Sequence, residues 1–535
     1  MDKQRIQELI HNAQFDDAKR DIIQLEDKYG ASDVDIITMK ASIAVAENNL
    51  EEAKRVLLGG LNLAPDDDDI LYNLGYVYML LEDYQQSNYY FEQLLIHSKD
   101  NELLNEVDQL VMKNKQHMLK NHPLVSIVIL AYNKLDYTKL CIESIFKYTN
   151  HLNYELIAVN NGSTDGTKEY FDSLPNVRAL HLEENVGVSN GFNEGMKIAK
   201  GKYTACVCND FIFTPRWLDN LLTCIESDES IGYVSPGASL ISNYQQINGT
   251  YSNIEEMFQF AEKYNVSDPR KWEERIRLMP CVLMVRTELL KKIGYYDPAF
   301  YFGEFADDDI SFRIRRAGYK LVFCKDTFTY HFGSVTVRDD QVNNNSMEIS
   351  REIFRKKYNL DSWQDAVFKP VLLNELSVKL SMSEASILGI NSKCGGNPLQ
   401  LKNMLKEKGV QHICVTNYCI DEKYIEDIKT VSDVYLYGDV DQIKQKVDYS
   451  KFDYIFSEID IDQLKRNPNV IEDIGYLLKQ EGQLALSLTY QTFNETEIIA
   501  DIQSIQKIGL RVTFHSVIHR SPSEYDLILV ARKDV

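Results

Sequence analysis

Three β-branched runs separated by helical stretches constrain the fold of this 535-residue chain more than any other feature. VSIVILAY at 125–132, YELIAVN at 154–160 and KYTACVCN at 202–209 are short, nearly continuous in apolar residues, and followed by polar turns. Such runs predict buried strands, and their alternation with helices predicts a parallel α/β sheet. The texture begins abruptly at Pro123, continues between 280 and 340 with shorter strands and the helix DDDISFRIRRAG, and passes through connecting helices over 341–383. From about Ala385 it restarts: SILGIN, HICVTN, DVYLYGD, FDYIFSEI, GQLALSL and YDLILVARK predict a second complete α/β domain over 384–535. One hydrophobic core cannot serve 535 residues, so the length predicts three or four domains.

Residues 1–122 follow a different period. LYNLGYVYMLLEDYQQSNYYFEQLL places Leu71, Leu74, Gly75, Tyr78, Ser87, Phe91 and Leu94 as the tetratricopeptide signature does, and a shift of about 34 residues finds Ile37, Ala41, Ala44, Ala53 and Leu57, with Pro65 at the end. Phe15 and Ala18 echo the pattern more weakly. This predicts a short stack of helix pairs, a tetratricopeptide-like domain suited to binding a protein or peptide acceptor, to self-association, or to scaffolding. It carries 23 acidic against 12 basic residues, so −11 of the chain's −22 sits here, and a partner would be basic or neutral.

Hydrophobic residues at 44% and charged residues at 26% match a folded globular protein. The net charge excludes electrostatic capture of nucleic acid or of an anionic membrane. No apolar run reaches the roughly 20 residues of a membrane span, and the charged start MDKQRIQELIHN is unlike a signal peptide, so the expectation is a cytoplasmic protein with no membrane span. Nine scattered cysteines form no CxxC pair, and Cys206 and Cys208 alternate along a strand, which predicts reduced core thiols.

The first three strands end in AYN, NNGSTDGT and CND, which puts polar groups at the carboxyl edge of one sheet, where open α/β sheets bind nucleotides. Gly162, Ser163 and Gly166 allow a tight turn before a helix. Downstream, Asp307–Asp309 and His331 are available to converge on that edge.

With these motifs in order, residues 123–340 resemble a family 2 glycosyltransferase domain of the GT-A fold, an inverting transferase using a nucleotide-activated sugar. The resemblance runs through VSIVILAYNKLDYTKLCIESI, NNGSTDGT, ENVGVSNGFNEGMKIAKGKY, CNDFIFTPRWL and FADDDISFRIRRAGY. It implies that Ala131, Tyr132 and Asn133 form the first nucleotide-contact loop, that Asn160 and Asn161 stand where the second contact is usually acidic, and that Asn185 and Gly187 lie beneath the donor. The DxD-like motif becomes CND, with Asp210 as metal ligand and Asn209 near the diphosphate or ribose; His331 is a second ligand. Hard oxygen donors suit Mn or Mg, which can stabilise the departing diphosphate. The family's base maps to Asp307, with Asp308 an adjacent rival and Ala306 replacing the preceding Glu; Asp309 and Arg313 can simply pair along the helix. A UDP-sugar is the implied donor.

The last 150 residues resemble more weakly a Rossmann-type, S-adenosylmethionine-dependent methyltransferase, with SILGINSKCGGNPLQLKNML at the glycine-rich loop. Where that family has an acidic residue and a repeated Gly, this chain has Gly389, Asn391 and Lys393, keeping only Gly395 and Gly396, and Asn417 replaces the acidic ribose partner. This predicts a degenerate domain retained for architecture or contacts and not for S-adenosylmethionine, with an active methyltransferase or a site for another ligand as the alternatives. The expectation is thus a metal-dependent inverting glycosyltransferase acting on an acceptor protein of surface or flagellar type, with homo-oligomer formation through the repeat or the carboxyl-terminal domain. The alternatives are a glycan or lipid-linked acceptor, or a non-catalytic scaffold.

Overall fold

The computed structural model describes residues 3–30, 33–119, 124–333, 344–378, 382–460, 463, 466–467, 469–491, 494–521 and 524–534. Pro123, where the sequence places the start of the central domain, and the SVT of YHFGSVT lie outside them. The chain divides into two compact units, Met1–Val125 with Thr149–Tyr154, and Ser126–Tyr148 with Glu155–Val535.

The first unit is a run of helices: α1 (Lys3–His11), α2 (Phe15–Tyr29), α3 (Val34–Ala46), α4 (Leu50–Leu61), α5 (Asp68–Leu80), α6 (Tyr84–His97) and α7 (Asn101–Leu119). The helix starts at 34 and 68, and at 50 and 84, are 34 residues apart, so the spacing read in the sequence is a spacing of helices. Short polar side chains set these starts: Asp33, Asn49, Asp67 and Asp83 each accept a hydrogen bond from the backbone N–H three residues on. Gly75 is where α5 and α6 pack closest, since a Cβ there would lie 2.4 Å from the Phe91 ring. Ala41 and Leu57, buried together, are the same pair one repeat earlier.

The second unit holds two sheets. The first contains β1 (Val125–Ala131), β2 (Tyr154–Asn161), β3 (Val177–Leu182), β4 (Tyr203–Cys208), β5 (Phe211–Ile212), β6 (Ile231–Ala238), β7 (Trp272–Arg275), β8 (Leu283–Arg286) and β9 (Lys320–His331). Their order is β3-β2-β1-β4-β8-β6-β9-β5, with β7 also on β9. The expected parallel sheet is mixed: β8 runs antiparallel to both β4 and β6, and β5 and β7 antiparallel to β9. The three runs that gave the expectation are β1, β2 and β4; β8, only four residues long, has too little sequence to reveal its direction. The helices that matter for the site are α8 (Leu135–Thr149), α9 (Thr167–Ser173), α10 (Val188–Lys197), α11 (Trp217–Glu226), α12 (Ile254–Tyr264), α13 (Thr287–Ile293) and α14 (Ala306–Arg316).

The second sheet contains β10 (Glu384–Ile390), β11 (His412–Cys419), β12 (Val434–Tyr437), β13 (Phe452–Asp460), β14 (Leu478–Tyr490), β15 (Leu510–Ser521) and β16 (Glu524–Lys533) in the order β12-β11-β10-β13-β14-β16-β15. Its first five strands are parallel in the doubly wound sense, and β16 enters antiparallel between β14 and β15.

The carboxyl-terminal sheet has buried clusters of its own, around Ile455 and around Phe456, and also shares one with the first sheet. Cys394, Leu399, Cys419, Tyr424, Ile428 and Val431 from the carboxyl-terminal sheet region belong to the same buried cluster as Phe305, Ile310, Ile314 and Phe323. Polar groups seal the contact. Arg315 Nη2 donates to Asp427 Oδ1 at 2.9 Å with both side chains buried, and Arg316 Nη2 reaches Asp427 Oδ2 at 2.7 Å. Asn403 exchanges hydrogen bonds with the Glu274 backbone at 2.8 and 3.0 Å, extending the edge of β7. The 341–383 stretch does contain helices, Ser346–Tyr358, Ser362–Asp365 and Pro370–Leu373. Its helices pack into both sheet regions rather than merely linking them.

Candidate active site

The turns after β1, β2 and β4 interlock. Asn133 holds a left-handed backbone (φ 54°), its N–H donates to Ser163 Oγ at 2.8 Å, and its Oδ1 accepts from Thr164 N at 2.9 Å. Asp165 accepts from Leu135 N at 2.8 Å and from Thr167 Oγ1 at 2.6 Å, fixing the first turns of α8 and α9. Asn160 Oδ1 accepts from Ser163 N at 2.9 Å. Asn161 Nδ2 donates to Asn185 Oδ1 at 2.9 Å, and its Oδ1 accepts from Val186 N at 3.0 Å. Asn209 Nδ2 donates to Thr138 Oγ1 at 2.9 Å. NNGSTDGT therefore spends most of its polar side chains on shaping the carboxyl edge of the sheet.

Asp210 and His331 meet because β5 pairs antiparallel with the end of β9, with Phe211 opposite His331. His331 Nε2 lies 3.4 Å from Asp210 Oδ2, and the imidazole stacks on Phe211 at 4.3 Å between centroids. Nδ1 donates to the Leu240 carbonyl at 2.5 Å, which fixes the tautomer and leaves Nε2 facing the carboxylate. Burial pulls the His331 imidazole down, but the Asp210 hydrogen bond and charge outweigh it and the net shift is upward. Asp210 Oδ1 is buried without a partner among the described residues. A buried, unpaired carboxylate oxygen beside an oriented imidazole fits a divalent cation. Among the described residues no group of three His, Cys, Asp or Glu converges.

The acidic turn opens α14, where a helix N-terminus favours negative charge. Its three carboxylates have different surroundings. Asp309 accepts from Arg313 Nε at 2.8 Å, Lys357 Nζ at 2.6 Å and Tyr358 OH at 2.7 Å, so the helical pairing read in the sequence is present and extended. Asp308 accepts from Arg277 Nη1 at 2.9 Å and Ser362 Oγ at 2.8 Å, so both its oxygens are engaged. Asp307 Oδ2 is buried without a partner among the described residues. Burial first, then the neighbouring Asp308 charge, push the Asp307 carboxyl up to about 8, against a smaller opposing pull from Arg277.

A cavity of about 310 Å³ joins these groups. Of the sequence-predicted residues, Tyr132, Asn161, Asn185, Gly187, Asn209, Asp210, Asp307, Asp308 and His331 line it. Ala131, Asn133 and Asn160 do not: Ala131 is fully buried in β1, and the two asparagines are turned into the interlocking loops. Sequence reasoning missed Glu304, Tyr301, Met347 and Trp363, which also line the cavity. Glu304 Oε1 accepts from Ser346 Oγ at 2.6 Å while Oε2 is buried and unpaired. Its one signal was position, two residues before the Ala306 departure. Met347 and Trp363 lie in the 341–383 stretch, and nothing local marks them.

Residues 126–293 match the family model described as Glycosyl transferase family 2. Glycosyltransferase GlyG of Streptococcus pneumoniae serotype 4 is 26% identical over 243 residues, 44% of this chain and 79% of that protein. An uncharacterised glycosyltransferase of Haemophilus influenzae is 32% identical over 117 residues, 21% of this chain and 36% of its own, so the chain spans about a third of that relative. A mannosyltransferase from Pyrobaculum calidifontis, solved with GDP-Man and Mn2+, superposes with a TM-score of 0.32 at 16% identity, covering 46% of this chain and 71% of that one. The stretch that matches the family model, residues 126–293, falls within the part of the chain that forms the first sheet.

Proposed function

We propose that the chain is an inverting transferase that moves a sugar from a nucleotide donor, a UDP-sugar, to a hydroxyl of an acceptor protein. The observation that carries the reading is the pairing in one cavity of two buried carboxylates with unpaired oxygens, Asp210 and Asp307. Asp307, displaced toward neutrality, is suited to take a proton from an acceptor hydroxyl. The acceptor oxygen then bonds to the anomeric carbon, the bond from that carbon to the phosphate oxygen breaks with its electron pair, and the acceptor proton ends on Asp307 Oδ2.

Asp210 and His331 would hold a Mn or Mg ion, which when bound neutralises charge on the departing diphosphate. Asp308, pinned by Arg277 and Ser362, lies beside Asp307, and its charge raises the basicity of that neighbour. Phe211 and the Leu240 carbonyl keep the imidazole in register with Asp210. The helical amino-terminal unit supports a protein acceptor, because stacked helix pairs offer extended surfaces for polypeptide.

The test is transfer and donor hydrolysis with a panel of UDP- and GDP-sugars, with Mn and with chelator, and mass spectrometry of co-expressed candidate acceptors. Asp210→Ala and Asp307→Asn are each expected to abolish transfer. Full activity in either variant sinks the site assignment, and absence of any nucleotide binding by the unaltered chain sinks the transferase reading.

A further inference from the structure

The glycine-rich turn after β10 keeps the backbone of a ligand cradle. Asn391, Lys393 and Gly395 all hold positive φ, at 52°, 50° and 86°, although the Lys393 side chain resists it. Such a turn is costly unless something uses its shape. What fills it is the chain itself. The Val367 carbonyl lies so close over Gly396 that a Cβ there would be 2.2 Å from its oxygen. Lys393 Nζ donates to the Gln364 carbonyl at 2.8 Å and pairs with Asp365 Oδ1 at 3.0 Å, and Cys394 N donates to the Asp365 carbonyl at 3.2 Å. Lys369 N donates to Asn397 Oδ1 at 2.7 Å, while Lys369 Nζ and Asn397 Nδ2 both reach Glu458, each at 2.7 Å.

The other end of the same segment is in the transferase cavity. Ser362 Oγ donates to Asp308 Oδ2 at 2.8 Å. Trp363 lines the cavity and stacks on Phe305, the residue that precedes α14, with centroids 4.9 Å apart and planes 20° apart. Eight residues, 362–369, therefore span from the carboxylate beside Asp307 to the glycine turn of the other sheet.

We propose that the segment Ser362–Lys369 occupies the glycine cradle of the carboxyl-terminal domain in place of a nucleotide cofactor, so that this domain anchors Ser362 and Trp363 in the transferase site. Resting on the transferase reading, Ser362 is a positioning residue acting through Asp308, and Trp363 presents an aromatic face to the acceptor. The retained glycines then have a physical use. Gly396 permits the approach of a peptide carbonyl, as a Rossmann glycine permits that of a pyrophosphate.

Gly396→Ala tests this from outside the cavity, because its new methyl group meets only the strut and its surroundings. Trp217 is fully buried and Trp272 is 8% exposed, whereas Trp363 is 41% exposed, so acrylamide quenching of fluorescence reads mainly Trp363. In the full chain we expect at least a twofold change in the quenching constant. We also expect a roughly tenfold fall in kcat for sugar-nucleotide turnover, with donor KM within twofold of the unaltered chain. Lys393→Met is expected to move both readouts the same way and Lys393→Arg to restore them; these variants carry the test should Gly396→Ala not fold. Titration calorimetry with S-adenosylmethionine is expected to give no binding. Unchanged quenching and kcat in both Gly396→Ala and Lys393→Met, or S-adenosylmethionine binding below 100 μM, overturns the proposal. If the unaltered chain turns over no sugar nucleotide, the transferase reading fails, while quenching and calorimetry still decide whether the strut fills the cradle.

Discussion

Asp307 and Asp308 carry the same side chain on consecutive residues, and their surroundings give them different chemistry. Arg277 and Ser362 satisfy Asp308, whereas Asp307 keeps an unpaired oxygen in the cavity. The groups that face Asp307 electrostatically are Asp308, Arg277, Tyr233 and Tyr296. A general base works when deprotonated, so kcat/KM for transfer is expected to rise with pH and level off above about 8, the value to which Asp307 is raised. A pH–rate profile checks this, and a profile already flat from pH 5 would contradict it. The same shift has a cost in stability. A carboxyl raised in the folded state favours folding below its ordinary value of 3.8, and that contribution is lost as pH rises toward about 8. Asp307→Asn, which cannot ionise, is therefore expected to lose transfer by at least ~10²-fold and yet to melt at a higher temperature than the unaltered chain at pH 9. Thermal denaturation at pH 5 and pH 9 measures it.

At the scale of elements, two close contacts can be tested. Gly75 lets α5 lie against Phe91, and the Cβ of Gly75→Ala would enter that ring, so overpacking is expected to cost ~1–3 kcal/mol. Phe91→Leu in the same chain should recover part of the loss, read by helical circular dichroism on heating. At the far end of α14, Asp427 is fully buried and pairs with both Arg315 and Arg316. Asp427→Ala would leave the Arg315 guanidinium uncompensated, at an expected cost of ~3–5 kcal/mol in denaturant unfolding. Asp427→Asn, which keeps hydrogen-bond acceptors, should cost less.

At the scale of the whole molecule, the shared core makes the second unit a single cooperative body. Tyr424, Ile428 and Val431 pack in one cluster with Phe305 and Ile314, so deleting 384–535 would expose apolar surface beside the first sheet. The shortened chain is expected to aggregate in size-exclusion chromatography, and calorimetry of the full chain to show no separate transition for the carboxyl-terminal sheet. No helix among the described residues is long and apolar enough to cross a membrane.

The sequence by itself determined what local pattern can encode: the β-branched runs of β1, β2 and β4, the 34-residue helix spacing around Gly75, and the acidic turn that opens α14. Through a family resemblance it also put Asp210, Asp307 and His331 forward together, and all three line one cavity. Tertiary structure alone decided what depends on distant neighbours. The reversed direction of β8 comes from pairing, not from its four residues. Asn133 turns into a loop hydrogen bond because its partner, Thr164, comes from the second turn of the same sheet edge, 31 residues away. Asp307 differs from Asp308 only through Arg277 and Ser362, 31 and 54 residues away along the chain. Trp363 and Glu304 reach the cavity through packing that leaves no periodic trace, and the glycine turn after β10, legible as a cofactor loop, holds the chain's own backbone. Periodicity reports which face of an element is buried, whereas electrostatic environment and occupancy are set by residues that only folding brings together.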